Sequence, residues 1–161
     1  MTDYHLAEVN IARFRVPIAD PVNADFVGAL DRVNALAEGS DGFIWRLKGE
    51  GNDAMDLHAF EDPNIVINMS LWRDIDSLAA YTYRNPDHLE IMRRRKEWFE
   101  EMELYFVLWW VPAGHIPTVA EAIDRLERLR QKGPHADAFT FSRPFPAPGQ
   151  AEPEPVLDSC A

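Results

Sequence analysis

The sequence predicts an α+β fold, an antiparallel sheet covered by helices, and three observations carry that prediction. Several short β-branched segments alternate apolar and polar residues with a period of two. Other stretches repeat their apolar residues at helical spacing and carry capping residues at their ends. The elements follow one another as β-α-β-β-α-β with an added helix, which is the split β-α-β order of a ferredoxin-like sheet with helices on one face. A chain of 161 residues is the size of one domain.

Each element has its own signature. From His5 to Arg15 the chain reads HLAEVNIARFR, in which Ala7, Val9 and Ile11 alternate with Glu8, Asn10 and Ala12, the pattern of a first strand. After the turn between Pro17 and Pro21, Asn23 is placed to cap a helix with Phe26, Leu30, Val33 and Leu36 or Ala37 on one stripe, and Gly39 ends it. Phe43 to Lys48 reads as a second strand, Gly49 to Asp53 as a loop, and Ile65 to Trp72 (IVINMSLW) as a third strand. His58 falls in the ambiguous stretch between the two strands. Asp74 to Met102 is helical in two pieces, because Asn85-Pro86 forms an N-cap followed by a first helical residue. Tyr105 to Val111 is the fourth strand. Thr118 and Glu121 form a capping box for a last helix striped by Ile123, Leu126 and Leu129 and stopped by Gly133-Pro134. Phe139 to Phe141 adds an edge strand. The domain is expected to span residues 1–145, with a Pro-rich disordered tail over 146–161.

Sorting the strands by parity leaves apolar area on both faces. One face takes Ala7, Val9, Ile11, Phe43, Trp45, Leu47, Ile65, Ile67, Met69 and Leu71; the other takes Glu8, Asn10, Ala12, Phe14, Ile44, Arg46, Val66, Asn68, Ser70 and Trp72. With one set of helices for two such faces, a second copy of the chain is expected to cover the remaining one, giving a homodimer of about twice the chain mass.

Composition narrows the partners. Sixteen Lys and Arg against 27 Asp and Glu give a net charge of −11, which repels phosphate backbones and anionic membranes, so neither nucleic acid nor membrane is expected. The basic run Arg93 to Lys96 is answered by Glu97, Glu100, Glu101 and Glu103, as on a solvated helix face. The first residues lack a basic segment leading into an apolar one, so a cytoplasmic location is expected. Cys160 has no second cysteine to pair with, and His5, His58, His88, His115 and His135 lack ligand spacing, so no metal site is expected.

What chemistry remains is concentrated on one strand face. Asn68, Ser70 and Trp72 share a side of the third strand, and Asn10 shares its parity with Glu8 on the neighbouring first strand, forming a polar island in an apolar sheet. A buried carboxamide is costly unless paired, so the island is either a satisfied structural network or a substrate site. Glu8 is the candidate buried base, since burial raises a carboxyl pKa toward neutrality, and Arg46 is a further candidate charge partner. His88, in the first turn after Asn85, either lines a cleft above the sheet or is an ordinary first-turn histidine.

The fold order, the strand ending in Trp72, the following helix with Leu78 and Tyr81, and the Asn-Pro-Asp-His start of the next piece resemble the dimeric α+β-barrel superfamily. Within it, LAEVNIARFR, Arg93 to Phe99 and LWWVPAGHIPTVAEA are similar to a bacterial family known as a domain of unknown function. The superfamily resemblance implies cofactor-independent antibiotic-biosynthesis monooxygenases, aromatic polyketide cyclases or haem-degrading enzymes as relatives. It implies catalytic roles for Asn68 and Trp72, four apart on a strand, and for Asn10 on the first strand. The expected function is thus an enzyme for a hydrophobic aromatic or polyketide-like molecule, a cofactor-independent monooxygenase or cyclase. A non-catalytic small-molecule binding module and a haem-binding or haem-degrading protein are the alternatives. Glu8, Asn10, Asn68 and Trp72 are the catalytic candidates; Ser70, Tyr81, His88 and Arg46 are the candidates for contact with substrate; no cofactor is expected outside the haem alternative.

Overall fold

The computed structural model describes residues 3–49, 51, 53–55, 57–102 and 105–151. Four strands form one antiparallel sheet: β1 (Tyr4–Arg13), β2 (Phe43–Arg46), β3 (Ile65–Trp72) and β4 (Phe106–Pro112), in the order β2-β3-β1-β4. The helices are α1 (Ala24–Glu38), α2 (Ile75–Arg84), α3 (Pro86–Trp98) and α4 (Val119–Lys132). Element order and strand order together make the sheet ferredoxin-like, with β1 and β3 in the centre, so the alternating residues of HLAEVNIAR are flanked on both sides.

Local chemistry sets the boundaries. Asn85 divides α2 from α3: its side-chain oxygen accepts from the backbone N–H of Asp87 and His88, and Pro86 occupies the first helical position where no N–H is needed. Asp74 caps α2 through the N–H of Ser77, and Thr118 caps α4 through that of Glu121. Asn23, expected as the cap of α1, makes no side-chain cap bond. It is fully buried and its amide donates to Pro17 O at 3.0 Å, while Asp20 caps the short 3-10 turn Pro21–Asn23 that leads into the helix.

The period-two sorting holds for β1 and β3 and fails at the start of β2. Phe43 pairs with Trp72 and Trp45 with Leu71, so a bulge between them absorbs Ile44. The extra residue moves Phe43 onto the Trp72 face, edge-on to that indole, instead of the Trp45 face where simple alternation puts it.

The larger correction concerns the second face of the sheet. Helices α1, α2 and α3 cover the face bearing Leu6, Trp72 and Leu108, as the split β-α-β order requires. The opposite face, with Ala7, Val9, Ile67, Met69 and Trp109, is closed by the chain itself: Ala122, Leu126 and Leu129 of α4 pack on it, with Leu57, Phe60 and Met102 around them. Val9, Met69 and Trp109 are fully buried within one chain. Each such side chain withdrawn from water is worth about 1.5–3 kcal/mol, and α4 supplies the cover that a second subunit was expected to give.

Beyond β4, Phe139 bridges Leu108 and Phe145 packs near it, with Trp110 Nε1 donating to Phe145 O at 2.9 Å. Ala147 is fully buried as well, so packing continues past the boundary expected at residue 145. The end of the Pro-rich segment, 152–161, lies outside the described residues.

Candidate active site

Between the Glu8 face of the sheet and helices α1 to α3 lies a cavity of about 310 Å³. That is at the small end of the range of roughly 300–1,000 Å³ that small-molecule sites occupy. Phe26, Leu30 and Val33 on α1 face this space and stay only half-buried, whereas Ala37, one turn further on, is buried against the sheet. The apolar stripe of α1 is a cavity wall along most of its length and core only at its end.

Glu8 lies at the sheet side, 4% exposed, in the middle of the central strand. Antiparallel pairing sets Glu8 directly opposite Ser70, and opposed residues project from the same face. Ser70 Oγ donates to Glu8 Oε1 at 2.8 Å and accepts from Trp72 Nε1 at 2.8 Å, while Asn10 Nδ2 donates to Glu8 Oε2 at 3.1 Å. Burial outweighs these two hydrogen bonds and raises the carboxyl from 4.5 to about 7. At neutral pH the group is therefore shared between an acid that can donate and a base that can accept.

Three rings form a row along the same wall. Tyr81 stacks on Trp72 with centroids 5.4 Å apart, and His88 packs against Tyr81 at 4.7 Å. Tyr81 donates its hydroxyl to Val33 O at 3.1 Å, tying α2 to α1, and burial with the nearby Glu8 pushes its pKa upward, so the phenol stays protonated. His88 Nδ1 lies 2.9 Å from Thr82 O. A carbonyl can only accept, so Nδ1 carries the proton, and burial lowers the ring's pKa and keeps it neutral.

The structure thus brings Glu8, Asn10, Ser70, Trp72, Tyr81, His88 and Arg46 to one cavity, with Asn68 at its rim. One expectation needs correcting. Asn68 is exposed, directly opposite Asn10, and is no buried carboxamide in need of a structural partner. Arg46, almost fully buried, is ion-paired through Nε with Glu38 Oε1 at 2.7 Å at the end of α1. Its guanidinium holds the Glu38 carboxyl below its usual range.

Beyond His88, which was expected at the cleft, the α3 residues Ile91, Met92 and Arg95 were missed in the sequence. His88, Ile91, Met92 and Arg95 recur at i, i+3, i+4 and i+7, the spacing of one helix face, and all four line the cavity. Arg95 is hidden in the sequence by its basic neighbours. Of these, Arg94 faces outward to Asp25 and Glu97 and lies over the Trp98 ring, as a solvated face should. Among the described residues no group of three or more His, Cys, Asp or Glu side chains could hold a metal ion.

Fold and cavity together define the class: a ferredoxin-like α+β protein with a helix-covered, ligand-sized cleft over a buried carboxyl. Over residues 5–155 the chain matches the model of the family described as "Domain of unknown function (DUF3291)". It belongs to that family. No curated protein matches the chain.

Among solved structures, the chain is similar to SnoaB, a cofactor-independent oxygenase from Streptomyces nogalater, at 14% identity and a TM-score of 0.45, over 70% of this chain and 95% of that one. It is similar to a conserved protein from Methanosarcina mazei Go1 at 14% identity and a TM-score of 0.47, over 66% and 90%. A dabb family protein with a ferredoxin-like fold from Mesorhizobium loti follows at 11% identity and 0.42, over 72% and 99%. The fold assignment rests on the sheet order and helix placement described above.

Proposed function

We propose that the protein is an enzyme that removes a proton from a hydrophobic phenol or enol, of aromatic or polyketide type, and lets the resulting anion react without a bound cofactor. The observation that carries this reading is the position of Glu8, a buried carboxyl on a ligand-sized cavity, poised near neutrality. Glu8 takes the proton. The second amide N–H of Asn10 and the amide of Asn68, side by side across β1 and β3, hydrogen-bond the oxygen on which negative charge develops. The anion then either reduces dioxygen and combines with it to a hydroperoxide, which loses water with the remaining hydrogen of that carbon to leave a ketone, as in a monooxygenase, or adds to a carbonyl of the same molecule, whose oxygen takes up the proton held by Glu8, as in a cyclase.

Trp72 and Tyr81 wall the ring. The indole N–H is engaged by Ser70, and Ser70 by Glu8, so Ser70 positions the carboxyl rather than the substrate. Glu8→Gln keeps the size of the side chain and removes the base. Turnover of an anthrone, followed by oxygen uptake or by product absorbance, should fall at least about 100-fold with substrate binding retained. Retained binding with equal, absent turnover in both proteins would favour the non-catalytic binding module.

A haem protein is the other reading: His88, with Nδ1 tied to a backbone carbonyl, would hold the iron through Nε2. A Soret band in the purified protein would support it over the enzyme without cofactor. The negative charge argues against nucleic acid and anionic membranes as partners, and no helix among the described residues is long and apolar enough to cross a membrane. A cytoplasmic location is part of this reading. A homodimer has to be built on a surface other than the Val9–Met69–Trp109 face, which α4 occupies; light scattering at micromolar concentration distinguishes one chain from two.

A further inference from the structure

We propose that His88 sets the specificity of this cavity: its Nε2 accepts a hydrogen bond from a hydroxyl or N–H of the ligand, so aromatic rings carrying such a donor are selected over the same rings without one. The inference rests on the reading of the cavity as a ligand site and adds which ligands it takes.

Three features of the structure converge on Nε2. The Asn85 cap fixes the first turn of α3 and with it the backbone of His88, which is itself bound by Asn85 Oδ1. The ring is then held on two sides, by Thr82 O at Nδ1 and by the face of Tyr81, and Tyr81 is held in turn by Trp72 and Val33 O. With Nδ1 spent, Nε2 is the polar atom the ring has left, and it is a bare lone pair on an imidazole that lines the cavity. Its burial keeps it neutral, so it offers an acceptor and no charge.

The nearest neighbours on the same helix face, Ile91 and Met92, are apolar, and the charged member of that face, Arg95, follows two turns beyond His88. A ligand hydroxyl arriving beside the ring finds an acceptor in Nε2, while an ether or a hydrogen leaves that acceptor desolvated and unpaired. Because the ring is fixed before the ligand arrives, little conformational freedom is lost on making the bond.

The probes are 1-naphthol and 1-methoxynaphthalene, alike in ring and different in the donor. Titrated against the intact chain by tryptophan fluorescence, 1-naphthol should bind about tenfold more tightly than the ether. In His88→Phe, which keeps a ring on Tyr81, that preference should vanish through loss of naphthol affinity alone. Nitrogen-15 NMR of the wild-type protein at neutral pH gives an independent reading: a neutral imidazole protonated at Nδ1, whose Nε2 resonance shifts with naphthol and not with the ether.

A preference that persists in His88→Phe would assign the hydroxyl to the Glu8 end of the cavity and overturn the proposal. So would an Nε2-protonated or charged imidazole. Equal binding of both probes to the wild type would overturn it while leaving the ligand-site reading standing; failure of both probes to bind at all would overturn both.

Discussion

A carboxyl placed in the middle of a sheet costs stability wherever it has to be ionised. Glu8 has a folded-state pKa of about 7 against 4.5 unfolded, so between those values the folded chain holds a proton the unfolded chain has released. Stability from this group is complete below pH 4.5 and is lost as the pH rises through 7. Glu8→Gln, with Asn10 turning its amide oxygen toward the new N–H, escapes that loss. Its stability relative to wild type, read by urea denaturation, should rise between pH 4.5 and 8 by on the order of 3 kcal/mol. Wild-type turnover should rise through the same interval, because the base is the deprotonated form; opposite pH trends for stability and activity would mark Glu8 as functional. Ser70→Ala leaves Trp72 Nε1 and one Glu8 oxygen unpaired and should cost about 1–3 kcal/mol in thermal or chemical denaturation. Asn68→Ala, at an exposed position, should change stability by less than about 0.5 kcal/mol while weakening ligand binding. At this scale the sequence discloses much of the site. Parity alone groups Glu8, Asn10, Ser70 and Trp72, because directly opposed residues of adjacent strands must share a face. It does not disclose that Asn68 is exposed, since exposure depends on where the covering helices stop.

Elements were legible where one residue dictates the backbone. Asn85-Pro86 breaks the long helix as expected, and Gly39 and Thr118 mark helix ends as expected, because caps are local chemistry. The bulge in β2 was not legible, since it depends on how Phe43 and Trp45 both find partners on β3 and no residue in the segment announces it. The same applies to α1, whose stripe looks like core in sequence and is largely cavity wall in the fold. Between α1 and β2, Gly42 has φ of +84° and lies against α2 so closely that a Cβ would collide with the Ser77 side chain. Both the backbone region and the space exclude a side chain there. Gly42→Ala should therefore lower stability by about 1–3 kcal/mol, and a calorimetric midpoint equal to that of wild type would show that the turn has another conformation available.

Across the whole molecule, the family and the ferredoxin-like sheet were both within reach of the sequence, and the treatment of the second sheet face was not. The helix α4 was visible as an amphipathic stripe, yet the stripe does not say which apolar surface it meets; only the chain path from Pro112 to Val119 decides that it folds back over Val9, Met69 and Trp109. Leu126→Asp sets a charge into that contact. It should reduce the thermal midpoint by many degrees and make the protein self-associate in light scattering as the sheet face is uncovered. A monodisperse, equally stable variant would show that α4 is dispensable cover.

The tether between β4 and α4 has a bearing on concentration. A cover joined to its sheet by a short turn is present at an effective concentration that dilution of the protein leaves unchanged, whereas a cover lent by a second copy is lost once the solution falls below the dissociation constant. The sheet that floors the cavity accordingly keeps its α4 cover on dilution, and affinity per chain should stay constant from micromolar down to nanomolar protein.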